Sequence, residues 1–464
     1  MNRRDFLKTS SISLGFLSLQ ACITRNDLSF ADGHAPTAAT GYGPLIPSSD
    51  GFARLPKGFF YKSFSMAGEI MDDGYAVPGL HDGMATFPGP DGTTILVRNH
   101  ELDVNDNHGV PYTESNSWAK IDKSLVYDSA GDRPLCPGGT TTAVYDTKSQ
   151  KLVSQHLSLV GTLRNCSGGP TPWGTWITCE ETSLKADDIL DKDHGYNFEV
   201  PASATPQLHK AVPLEEMGRF RGEAVAIDPN SGIVYQTEDM GDGLIYRFIP
   251  KVKGELTKGG TLQALVIKDS PSRDTRNWPA TDQPIFKANK SVEVEWITMD
   301  DVRSPNNDLR HRGFAQGAAR FARGEGMFYG NEEVYFACTN GGPKEFGQVF
   351  RYKPSPFEGT SQETQQPGTL ELFIESNDSN LMQNCDNLTI APWGDVIICE
   401  DTGGTSTLVG ITLEGKIYHI AEFTNKSELA GSCFSPDGST LFVNIQFNPG
   451  QTIAITGPWE TRKG

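Results

Sequence analysis

The chain of 464 residues carries a formal net charge of −18, with 49 glycines, 29 prolines and 37% hydrophobic residues. Its length allows two or three domains or one large β domain, and its turn-rich composition excludes a coiled coil or a disordered chain. The acidic balance excludes nucleic acid as a partner, because phosphate backbones need a clustered basic face.

The first element is an address label. "MNRRDFLKTSSISLGFLSLQAC" has paired Arg3 and Arg4, then Phe6, Leu7 and Lys8, then a modest apolar run. It resembles a twin-arginine export signal, which carries folded and often metal-loaded proteins across the bacterial inner membrane. The run is too short to span a bilayer. Leu19-Gln20-Ala21-Cys22 also resembles a lipoprotein cleavage site that would leave Cys22 as a lipid anchor; cleavage near Ala31 or Ala35 is the alternative. Residues 1–35 are thus read as the signal peptide and 36–464 as one domain, periplasmic or secreted and monomeric, with the export machinery as a partner. The eight cysteines show no C-x-x-C spacing, against a zinc ribbon or dithiol motif. An exported protein could pair some of them, and folding before export makes disulfides less obligatory.

"FARLPKGFFYKSFSM" begins the folded part with a strand. Six segments then share one plan of strand, tight turn, strand and polar end: "DGMATFPGPDGTTILVRNHE", "NCSGGPTPWGTWITCEE", "GEAVAIDPNSGIVYQTED", "GEGMFYGNEEVYFACTN", "CDNLTIAPWGDVIICED" and "GSCFSPDGSTLFVNIQ". Turns such as "DPNSG" and "SPDGS" supply the positive φ that hairpins need. Further strand pairs, such as "TTAVYDTKSQKLVSQHLSL", follow most of them. Two hairpins per unit, about six times over, predict an all-β, six-bladed β-propeller with four-stranded blades and loop insertions. The N-terminal strand would close the ring with the last blade.

In that geometry the residues just before the first strand and just after the second meet at one mouth of the channel. The acids fall there: Asp82, Glu101, Glu180, Glu181, Glu223, Glu238, Asp239, Glu325, Asp386, Glu400 and Asp401, with Cys166 at the matching position of its unit. So many carboxylates in one low-dielectric funnel repel unless cations neutralise them. Carboxylate oxygens suit Ca²⁺, and a thiolate among them points to a transition metal. A lone strand-end acid is otherwise a turn cap, and a lone Cys166 a buried small residue or half a disulfide. His100 is a further candidate ligand.

Together "RNHE", "NCSGGPTPWGTWITCEE", "HGYNFEV", "GEAVAIDP", "VYQTED", "RGEG", "GDVIICED" and "FSPDGSTLFVNIQ", in this order between about residues 80 and 450, resemble the PhoX alkaline phosphatases. The resemblance implies hydrolysis of phosphate monoesters, and sometimes diesters, by a cluster of about two ferric and about three calcium ions. It implies that Cys166 is a thiolate bridging the irons, and that Glu101 and Glu223 bind iron. It also implies that Glu181, Glu238, Asp239, Glu325, Glu400 and Asp401 supply the calcium shell, with Arg323 on the substrate phosphate; Glu180 is a further candidate metal ligand by its place at the strand end. Gly222 and Cys385 depart from the family's usual residues. A calcium-dependent hydrolase of lactones or organophosphates, or a non-catalytic ligand-binding propeller, is the alternative.

Overall fold

The computed structural model of the protein describes residues 40–112, 117–424, 426–447 and 449–463. The export signal, Cys22 and the cleavage positions lie outside them. Strands dominate because short apolar runs alternate with turns whose side chains fold back on the backbone. At the "SPDGS" turn, for example, Asp437 Oδ1 accepts bonds from Ser435 Oγ and the Ser439 amide at 2.5 and 3.1 Å, and Gly438 sits at φ 71°.

The chain begins with β1 (Leu45–Pro47), β2 (Ala53–Pro56) and β3 (Phe60–Phe64). It continues through β4 (His81–Pro88), β5 (Thr94–His100), β6 (Gly138–Asp146) and β7 (Lys151–Thr162), then β8 (Asn165–Pro170), β9 (Thr175–Glu180) and β10 (Asn197–Pro201). Next come β11 (Gly222–Ile227), β12 (Val234–Glu238), β13 (Ile245–Pro250), β14 (Gly260–Ile267), β15 (Val292–Thr298) and a short helix, α1 (Leu309–Ala315). The remaining strands are β16 (Gly324–Gly330), β17 (Glu333–Cys338), β18 (Gln348–Lys353) and β19 (Thr369–Glu375), then β20 (Cys385–Ile390), β21 (Val396–Glu400), β22 (Ser406–Ile411) and β23 (Ile417–Phe423). The last three are β24 (Leu429–Phe434), β25 (Thr440–Ile445) and β26 (Gln451–Thr456).

The arrangement is all-β and propeller-like, but hydrogen bonding makes five sheets, not six separate four-stranded blades. One cause is β15, for which no strand was expected. It pairs with β14 and, through Val292↔Leu370 and Glu293↔Thr369, with β19, so two successive meanders fuse into one nine-stranded sheet. The β8–β10 sheet stops at three strands. Beyond it the chain meets β10 at the isolated bridge Phe198↔Pro213 rather than along a fourth strand, and proline has no N–H to extend a ladder. The N-terminal strand β3 pairs with β26.

Six first strands, β4, β8, β11, β16, β20 and β24, stand side by side around an axis, with β24 returning to β4. Each opens with a break in register: between His81 and Met84, Asn165 and Gly168, Gly222 and Val225, Gly324 and Met327, Cys385 and Leu388, and Ala430 and Cys433. A bulge re-aims the side chain it contains, here toward the axis. The strands crowd closely: a Cβ added at Gly83 would lie 2.6 Å from Ser167 Cα, and one at Gly326 2.6 Å from Asn387 Cα. Apolar residues fill the space between sheets, as where Phe336 and Phe350 stack at 5.2 Å beside Phe321. Burying each such ring contributes about 1.5–3 kcal/mol. Among the described residues no helix is long and apolar enough to cross a membrane.

Candidate metal centre

Six backbone hydrogen bonds close the hairpins at one end of the ring. The amides of Glu101, Glu181, Asp239, Thr339, Asp401 and Gln446 donate to the carbonyls of Leu80, Arg164, Arg221, Arg323, Asn384 and Glu428. Each hairpin thereby brings together the residue before its first strand, the one after its second, and the bulge. Bulge positions in the first five units hold Asp82, Cys166, Glu223, Glu325 and Asp386. In the sixth, one residue later along the strand, Gly431 takes that place.

The ligand-type atoms meet in three overlapping groups: Asp82, Glu101 and Cys166; Cys166, Glu181 and Glu223; and Glu223, Glu325 and Asp386, each within 4.8 Å. Cys166 Sγ lies 3.7 Å from Asp82 Oδ2. Gln446 Nε2 bridges Asp82 Oδ2 and Glu101 Oε2 at 3.1 and 2.9 Å. Arg164 pairs with Glu101 at 2.7 Å and with Glu181, which Arg221 also contacts. Arg323 grips both oxygens of Asp239 at 2.8 and 2.9 Å and reaches Glu325 at 3.0 Å.

Three guanidiniums do not neutralise this set. Burial pushes Asp82, Glu223 and Glu325 well above the usual carboxylate range, and neighbouring acids push the same way. Burial raises Glu101 to about 8 despite Arg164, and raises Asp386 to about 7 with help from Asp401. The Cys166 thiol is likewise pushed up by burial and Asp82. Glu223 is 1% exposed, and neither carboxylate oxygen has a hydrogen-bond partner. A buried, unpartnered carboxylate surrounded by others is what a bound cation would relieve.

Of the acids expected here, Asp82, Glu101, Glu181, Glu223, Asp239, Glu325, Asp386 and Asp401 lie at the mouth with Cys166 and Arg323. The first members of the paired acids do not. Successive strand residues face opposite ways, so Glu180, Glu238 and Glu400 turn back into the sheets. Glu180 accepts bonds from the Leu163, Gly195 and Tyr196 amides, and Glu238 from Tyr246 Oη and the Leu244 amide. Glu400 accepts from the Gln383 and Thr407 amides. His100 is also turned away, its ring nitrogens on Gly79 O and Thr141 Oγ1. Sequence reasoning missed Arg164, Arg221, Gln446 and Glu428, whose carboxyl is pushed well above the usual range by burial and by Asp82, Asp401 and Asp386. The spacing Arg-x-Cys at 164–166 and Arg-x-Glu at 221–223 and 323–325 marks the first two as equivalents of Arg323. Among the described residues all seven cysteines are free thiols.

The raised carboxyls make a prediction for metal-stripped protein. Between the unfolded values, 4.5 for Glu101 and 3.8 for Asp386, and the folded values of about 8 and about 7, the folded state holds more protons. Stability therefore falls as pH rises through that window. Buried His81 and His100, whose pKa values burial lowers, oppose this only below about 6.5. The melting temperature of chelator-treated protein should drop by about 3 °C or more from pH 6.5 to 8.5, and Glu101→Gln should flatten the slope. A rise over the same interval would mean the mouth carboxyls ionise without penalty.

Fold and site together define a propeller-like protein whose channel mouth is lined by buried carboxylates and a thiol and rimmed by arginines. A sequence profile described as alkaline phosphatase PhoX matches residues 40–450. The chain belongs to the PhoX alkaline phosphatase family and is a phosphatase. Pseudomonas fluorescens PhoX, solved in complex with vanadate, a transition state analogue, superposes with a TM-score of 0.64 at 18% identity, covering 90% of this chain and 98% of that one. A gluconolactonase of Xanthomonas campestris gives a TM-score of 0.40 at 10% identity, covering 90% and 98%. Virginiamycin B lyase of Staphylococcus aureus gives 0.34 at 11%, covering 86% and 99%. No curated protein matches the chain.

Proposed function

We propose that this phosphatase hydrolyses phosphate monoesters, and some diesters, in the periplasm after twin-arginine export, with iron and calcium held at the channel mouth. The ring would then comprise six radial units, the fused sheet counting as two. The observation that carries this reading is Glu223, buried with two unpartnered oxygens between Cys166, Glu181, Glu325 and Asp386. Its donor set fits two kinds of cation: the thiol of Cys166 suits iron, and the carboxylates of Glu181, Asp239, Glu325, Asp386 and Asp401 suit calcium. Glu101 and Glu223 complete the iron shell. When bound, such ions supply Lewis acidity and a hydroxide that exists at working pH, so no serine nucleophile is required.

The chain's own residues do the rest. Arg164, Arg221 and Arg323, with side chains 30%, 35% and 37% exposed, present guanidiniums at the rim where phosphate oxygens carry charge. Gln446 holds Asp82 and Glu101 at fixed separation. The bulges fix Cys166, Glu223, Glu325 and Asp386 on strands rather than loops, which keeps the donors preorganised.

Protein purified without chelator should contain about two iron and about three calcium ions per chain by elemental analysis. It should show a charge-transfer colour that Cys166→Ser abolishes, and hydrolyse an aryl phosphate in a chelator-sensitive way. A colourless, calcium-only protein would overturn the iron assignment. Equal hydrolysis by wild type, Glu223→Gln and Arg323→Ala would place the site elsewhere.

A further inference from the structure

Behind the mouth, beyond Glu180, a second set of ligand-type side chains is wholly buried. Asp128, Cys136 and His194 are 0%, 1% and 0% exposed. They come from the segments between β5 and β6 and between β9 and β10, and His194 opens the "HGYNFEV" stretch, to which the phosphatase reading gives no role. One ligand atom from each lies within 4.8 Å of the other two. Ala130, Leu163 and Leu190 pack around Cys136 and keep the surroundings dry.

The two ring nitrogens of His194 have different environments. Nδ1 lies 2.6 Å from Glu180 Oε1, and Glu180 is itself fixed by three backbone amides. A carboxylate that orients one imidazole nitrogen in this way is the usual outer partner of a metal-bound histidine. Nε2 faces Asp128 Oδ2 at 3.3 Å. That is long for a charge-assisted hydrogen bond, which closes to about 2.7–2.9 Å. It matches the separation of about 3.3 Å between two donors each about 2.0 Å from a tetrahedral zinc ion.

We propose that Asp128, Cys136 and His194 form a zinc site, separate from the cluster at the mouth, with His194 Nε2, Cys136 Sγ and Asp128 Oδ2 as ligands. Imidazole, thiolate and carboxylate together suit zinc better than calcium, which takes oxygen alone. Binding releases two protons, one from the Cys136 thiol and one from His194 Nε2. Without metal, His194 is held up to about 12, burial opposing its charge while Glu180 and Asp128 favour it. The dication replaces those two protons, so the net charge of the pocket is unchanged. Its effect is to pin both segments behind β9, whose next residue, Glu181, faces the mouth.

The test uses full-length Cys166→Ser protein, which removes the competing thiol at the mouth, stripped and reloaded with one equivalent of zinc. X-ray absorption should find one sulfur at about 2.3 Å with nitrogen or oxygen neighbours at about 2.0 Å. Adding Cys136→Ser should remove the sulfur and weaken zinc binding by at least about 10-fold. A shell of nitrogen and oxygen alone in protein that retains Cys136, or a sulfur that survives Cys136→Ser, would overturn the assignment. The first measurement needs no pocket variant, so it does not depend on how such variants fold. It reads metal ligation only, so it is independent of whether the mouth hydrolyses phosphate esters.

Discussion

Glu223→Gln should lower phosphate-ester hydrolysis by about 10³-fold or more and, in metal-stripped protein, raise the melting temperature. The two effects have opposite signs because they report two states of one group. Glu223 sits on a bulge with both oxygens buried and unpartnered, among Glu181, Asp386, Asp82 and Asp239, all of which push its proton affinity up. Without cations its charge is a liability, and an amide of nearly equal volume removes it. With cations the same charge holds the centre together, and the amide oxygen is a weaker ligand. A loss of 10³ corresponds to about 4 kcal/mol of transition-state stabilisation. The measurements are melting curves of chelator-treated wild type and variant at pH 8, and rates on an aryl phosphate with metals restored. A variant that melts lower when stripped yet hydrolyses normally would show that Glu223 is a packing residue and that the centre lies elsewhere.

The hairpins were readable in the sequence because alternating apolar runs and Asn/Asp/Gly turns are local signals. "DPNSG", "SPDGS" and "APWGD" lie where β11 meets β12, β24 meets β25 and β20 meets β21. That Cys166, Glu101 and Glu181 come together followed from placing hairpin ends at one rim. Which acid of each pair faces the rim did not. That choice depends on the register at the strand end, and a shift of one residue exchanges Glu180 with Glu181. The bulges that aim Asp82, Cys166, Glu223, Glu325 and Asp386 inward leave little trace, since the inserted residue carries no fixed type. The junction through β15 was hidden for another reason. Residues 292–296 alternate between apolar and charged, but the β19 residues they pair with, Leu370 and Thr369, lie 78 and 76 positions on, and only the folded chain reveals such a pairing. The same holds for Asp128 and His194, which are 66 positions apart.

The other large effect is expected at Arg323, and the informative substitution is lysine rather than alanine. Nε and Nη2 of Arg323 bind the two oxygens of Asp239, and Nη2 also reaches Glu325, so the plane of the guanidinium is fixed before any substrate arrives. Its side chain is 37% exposed at the rim. Held that way, the remaining N–H groups present a rigid fork to phosphate oxygens, with little side-chain entropy left to lose. Lysine keeps the charge but supplies a mobile point donor that cannot span two carboxylate oxygens and a phosphate together. Arg323→Lys should therefore lower kcat/KM for an aryl phosphate by about 10²-fold or more, weaken inhibition by inorganic phosphate, and leave the metal content unchanged. Arg221→Lys should cost less, because Arg164 shares its partner Glu181 and remains in place. Joint measurement of metal content, kcat/KM and phosphate inhibition separates a clamp from a structural ion pair. An ion pair that only positions Asp239 would change metal content and leave phosphate inhibition per loaded site as in wild type. If both variants instead lose equally, the phosphate is shared among the three arginines and Arg323 has no special role.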